Sequence, residues 1–88
     1  MTGPEFKTML LAVSVLRSAL AIGEDGPRQT DAVRLALRVL LPHCPRRGVL
    51  VDYWTAAGLA DPAARAGGMG AAFHAIIRQL RATGIYRH

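Results

Sequence analysis

The chain has 88 residues, 51% of them hydrophobic, 6% aromatic and one a cysteine, which leaves room for a single domain with a single core and excludes an internal disulfide framework. Leu, Ala, Val and Ile dominate, a helical palette. The formal charge of +5 is uneven: residues 1–45 carry five positive and four negative charges, residues 46–88 six Arg and two Asp, so an anionic partner would meet the C-terminal half.

The opening run, Lys7 followed by TMLLAVSVL, loosely imitates a signal peptide. Arg17 interrupts it where a cleavage region should be neutral, and the apolar stretch is shorter than the about 20 residues a bilayer span takes. The expectation is therefore a soluble, cytoplasmic chain with no membrane partner. From Pro4 a first helix is predicted, with Glu5 in its first turn and Phe6, Leu10, Val13, Leu16 (or Arg17) and Leu20 at helical spacing. Met9, Leu11, Val15 and Ile22 widen the apolar stripe well beyond one face. Such a helix is central in a bundle or half of a subunit contact, and a homodimer through the 5–22 helix is one expectation. Gly23, in GEDG, reads as its left-handed cap.

A second helix is predicted from Pro27 or Thr30, with Thr30 as N-cap, to Leu41, where Pro42 forbids continuation. Val33, Ala36, Leu37, Leu40 and Leu41 point inward. Arg34 and Arg38 share the outer face, with Asp31 one turn before Arg34, either as a solvated surface with a weak ion pair or as phosphate contacts. The segment PHCPRRG, residues 42–48, is the strongest punctuation and exposes Arg46 and Arg47. Cys44 beside His43 does not make a metal pair, since adjacent residues point apart and no second pair follows at ligand spacing. It reads as a small, partly buried thiol.

The third predicted helix, 49–57, buries Leu50, Tyr53, Trp54 and Ala57, with Trp54 at the centre of the packing and the Tyr53 hydroxyl toward the edge. A base-stacking platform is the other reading of the aromatic pair, although such platforms usually sit on sheets. Gly58-Leu59 reads as a Schellman ending. Asp61-Pro62 is an N-cap and first helical position, predicting one or two turns over 61–66, after which Gly67, Gly68 and Gly70 predict a flexible turn. With no Lys-Ser/Thr after them and no strand before them, these glycines are not a nucleotide P-loop.

The last helix, 69–83, separates two faces: Phe73, Ile76, Ile77 and Leu80 at i, i+3, i+4, i+7 for the core, and His74, Arg78 and Arg81 for solvent. Gly84 ends it, and IYRH stops before it can return as a β-wing. Ten of the eleven basic residues are Arg, which suits bidentate phosphate or guanine contacts, although GC-rich coding gives the same bias.

The pattern Trp54, Ala56, Gly58, Leu59, then a turn of about ten residues containing Arg65, then Ala72-Phe73, Ile77, Leu80 and Gly84, resembles the helix-turn-helix core of winged-helix modules, in particular those at the C-terminus of plasmid and phage replication proteins. The resemblance covers roughly the last 35 residues. It implies that the 69–83 helix is the recognition helix and 49–57 its support. The chain departs from the pattern in a longer, glycine-rich turn and in lacking the wing, so wing contacts are not implied.

The expected fold is therefore an all-α bundle of four to five helices, one domain over 1–88, with a helical pair at 1–41 and a helix-turn-helix-like unit at 49–84. The expected partner is duplex DNA, with His74, Arg78 and Gln79 reading base edges and Arg46, Arg47, Arg65, Arg81 and Arg87 positioning the backbone, in a small regulator or replication accessory factor of mobile-element type. The competing expectation is a helical interaction module, an inhibitor or adaptor that turns its basic face to an acidic protein. No enzyme and no cofactor are expected: His43, His74 and His88 are scattered, no carboxylate pair shares a pocket, and Asp52 and Asp61 read as a surface charge and a cap.

Overall fold

A computed structural model describes residues 2–22 and 27–84, among which there are four α-helices and no strand. They are α1 (Gly3–Ile22), α2 (Pro27–Leu40), α3 (Gly48–Ala57) and α4 (Pro62–Ala82), with a 3-10 turn at Leu41–His43 between α2 and the loop to α3. The all-α class is as expected from composition. No helix is long and apolar enough to cross a membrane among the described residues. Gly23 and the last four residues, Arg87 included, lie outside them.

The helices pack as two hairpins, α1 on α2 and α3 on α4, closed over one shared core. In α1 the Thr2 hydroxyl accepts from the Glu5 N–H at 3.2 Å, a side-chain cap one residue ahead of the helix. The buried face is Met9, Ala12, Val13, Leu16 and Ala19, whereas Phe6 is exposed and Leu10 and Leu20 are only half-buried. This corrects the expected Phe6–Leu10–Leu20 stripe. The physical reason is that α1 touches both α2 and α4, so its contact arc is centred between them and uses two alanines for close approach. Thr30 is inside α2, not its cap, and Leu41 belongs to the 3-10 turn and is exposed.

In α3 the buried residues are Leu50, Tyr53 and Ala56, and Trp54 is 41% exposed. The expected roles of the two aromatic residues are reversed. Tyr53 is fully buried and its hydroxyl donates to the Leu16 carbonyl at 2.7 Å, joining the two hairpins. A buried phenol needs such an acceptor, and α1 supplies one. What fixes the rotation of α3 is Ala56: a Cβ built on Gly68 would lie 2.8 Å from the Ala56 Cβ, so the backbones of α3 and α4 meet there. Trp54, two residues before Ala56, is turned away from that contact.

The expected break at Gly67–Gly70 is absent. Residues 62–82 form one helix, started by Asp61, whose carboxylate accepts from the Ala64 N–H at 2.9 Å, and by Pro62 at its first position. Three glycines inside a helix cost roughly 1 kcal/mol each in propensity, and the packing of Gly68 on Ala56 is the contact that offsets it. The turn between α3 and α4 therefore shortens from the expected ten residues to four, Gly58 to Asp61. Gly58 has φ −88°, a right-handed value, so the expected Schellman ending does not form and Leu59 is exposed. Gly84, φ +76°, follows the end of α4 as expected.

Two stability predictions arise here. Gly68→Ala is expected to destabilise by about 1–3 kcal/mol through the clash with Ala56, whereas Gly67→Ala, where a Cβ meets nothing within 4 Å, is expected to stabilise by up to about 1 kcal/mol in urea titrations. Burial pushes the Tyr53 phenol from 10.0 up to about 12. The folded chain keeps that proton where the unfolded chain has lost it, so stability is full below about pH 10 and declines by about 2–3 kcal/mol as pH rises toward 12. Denaturant titrations across that window should show the decline in the wild type, and a Tyr53→Phe chain should lack this part of it.

Candidate nucleic-acid interface

On α4 the amphipathic split is as the spacing implies: Phe73, Ile76, Ile77 and Leu80 are buried, and His74, Arg78 and Arg81 are exposed. Because α1 and α3 flank this helix on either side, its cationic ridge stands on the side opposite the core. The His74 ring meets the ring of its neighbour Phe73 edge-on, centroids 6.4 Å apart. A cation that sequence reading did not assign to the site joins from α1. The Arg17 guanidinium lies 5.7 Å from the Phe73 ring centroid, in cation–π range, which brings it to the α1 side of α4. Nothing in local spacing links residues 17 and 73, and only the docking of the hairpins does.

The 45–47 loop is brought to the other side of α4. Gln79 holds it there with both ends of its amide: Oε1 accepts from the Arg46 N–H at 3.0 Å, and Nε2 donates to the Arg46 carbonyl at 3.1 Å. Gln79, expected as a reader of base edges, thus joins loop to helix. Arg65, expected to position a DNA backbone, holds a contact within the fold. It is half-buried and donates to the Leu59 carbonyl at 3.1 Å, tying down the α3–α4 turn. Arg46 and Arg47 are exposed, and α3 starts beside them with no side-chain cap.

The two ends of α3 give the geometry of the second hairpin. Arg46, two residues before α3, is bonded to Gln79, and Ala56 near the end of α3 touches Gly68, so α3 runs back along α4 between these two contacts. The helices therefore lie antiparallel along one another. Between them on the solvent side runs a groove, its two parts sharing Ala75. One end is lined by Asp52, Thr55 and Leu59. The other, about 580 Å³, is lined by Arg46, Arg78 and Gln79 over Val49, Ala75 and Ala82.

Of the acidic side chains on the described residues, Glu5 is exposed in the first turn of α1, Asp61 caps α4, Asp52 lines the groove one turn along α3 from Val49, and Asp31 pairs with Arg34 at 2.9 Å on the open surface of α2. That exposed pair adds little stability. No group of three or more His, Cys, Asp or Glu that could hold a metal occurs among the described residues. Cys44 is buried, and burial raises its thiol above the usual range, which makes it a poor nucleophile. Comparison of the chain with protein-family models, curated proteins and solved structures finds no match. The reading of the site rests on its geometry.

Proposed function

We propose that the protein binds duplex DNA through α4 and the 45–47 loop, as a small regulator or replication accessory factor of mobile-element type. The observation that carries the reading is the exposure of Arg46, Arg47, His74, Arg78 and Arg81 together on and beside one helix, with Asp61 and Asp31 engaged in a cap and an ion pair. His74 is the candidate for base edges, and Arg46, Arg47, Arg78 and Arg81 for phosphates. The reading does not require α3 and α4 to be a helix-turn-helix pair, because what meets the duplex is the ridge itself.

Four neutralised phosphates give a log–log salt slope of about −4, and Arg78→Ala with Arg81→Ala should reduce it by about 2 and weaken binding at least about tenfold, read by fluorescence anisotropy at several salt concentrations. Both side chains are exposed, so the double variant should keep its helical circular dichroism. Failure of the wild type to shift anisotropy at low salt would turn the reading to an acidic protein partner, whose surface accepts the same cations.

We further infer a homodimer through α1. Leu11 and Ile22 are 67% and 62% exposed and lie on the side of the helix away from its core face. On α2, Leu35 is exposed to a similar degree. A paired α1 would present two ridges to one duplex, as symmetric DNA-binding proteins do. Sedimentation equilibrium should give twice the 9.4 kDa chain mass, and Leu11→Glu should return the monomer with its fold intact. A wild-type monomer at tens of micromolar would exclude this contact.

A further inference from the structure

We propose that the groove between the 45–49 segment and the C-terminal half of α4 is a discrete site for one phosphate group of a nucleic-acid backbone, with Arg46 and Arg78 as its cationic walls and Gln79 as the residue that sets the distance between them. The inference deepens the reading above, that this face meets DNA, by naming where the backbone seats. Two guanidinium side chains line the same concavity, and no carboxylate is among the lining residues. Like charges lining one recess repel one another, and an anion between them relieves that repulsion, while Asp52 lines only the adjoining part of the groove. Val49, Ala75 and Ala82 bring no polar side chain to the lining, and the hydroxyl of Thr83, which also lines it, donates to the Leu80 carbonyl.

The Gln79 amide makes the site more than a chance meeting of two surface arginines. Flexible arginines lose side-chain freedom when they bind, and a loop that moves as well adds to that loss. Here the Arg46 backbone is bonded at both its N–H and its carbonyl to residue 79, the immediate neighbour of Arg78. Pro45 restricts the backbone just before it. Both walls therefore start from one frame, and only the side chains beyond Cα need to order. The planar guanidinium fork then suits a phosphate with two oxygens presented side by side.

The test is a titration of the full chain, followed by amide and arginine Nε NMR signals at constant ionic strength, with inorganic phosphate and with dimethyl phosphate, each against chloride. Saturable shifts with both probes, confined to residues 45–49 and 75–83, are expected. Arg78→Ala should abolish saturation, and Gln79→Ala, which leaves the charge unchanged, should weaken it by about three- to tenfold. Shifts that grow without saturating, or that spread equally to Arg34 and Arg38, would overturn the site. Saturation by inorganic phosphate with the diester silent would overturn its assignment to a backbone. A wild type that binds duplex without a saturable phosphate response loses this inference and keeps the proposed function, and saturable phosphate binding without duplex binding does the reverse.

Discussion

The hydrogen bond from the Tyr53 hydroxyl to the Leu16 carbonyl is the contact on which the arrangement of the molecule depends. It is fully buried, spans 37 residues of sequence and joins one helical hairpin to the other. Apolar packing alone would let the hairpins slide, since Leu, Ala and Ile surfaces accept many registers. A phenol with one acceptor within reach accepts one register, because any other leaves a buried hydroxyl unpaired at about 1–3 kcal/mol. Once the register is set, Arg17 falls over Phe73, and α4 lies between α1 and α3 with its arginines outward.

The faces of α2 and of the C-terminal half of α4 were readable in the amino-acid sequence because each packs along a single stripe. Val33, Ala36, Leu37 and Leu40, and likewise Phe73, Ile76, Ile77 and Leu80, are the positions their spacing names, and all are buried. On α1 and α3 spacing was insufficient. Apolar residues cover most of α1, so periodicity could not choose among rotations, and on α3 the choice between Tyr53 and Trp54 was decided by an alanine and a glycine twelve residues apart. Size suggested that tryptophan should be buried, but the interior had an acceptor for a hydroxyl and a close helix contact that left no room nearby for an indole. Glycines that break helices in isolation were here the means of bringing two helices together.

The candidate site divides in the same way. His74, Arg78 and Arg81 could be placed on one face from their positions along α4, because a helix carries its own geometry. The partners of Gln79 and Arg65 could not, because each is set by a tertiary contact: one to a loop 33 residues earlier, the other back across the turn between α3 and α4. Two of the residues that looked free to meet a ligand turn out to hold the scaffold that presents the others. A site of this kind combines exposed cations with polar side chains whose hydrogen bonds fix their spacing.

The glycines at 67, 68 and 70 also bear on how the chain acquires its structure. A segment so poor in intrinsic helicity coils only against a neighbour, whereas residues 71–82, rich in Ala, Ile, Leu and Arg, have the higher helix propensity. The first two turns of α4 and the end of α3 therefore belong to one cooperative unit that forms and melts together.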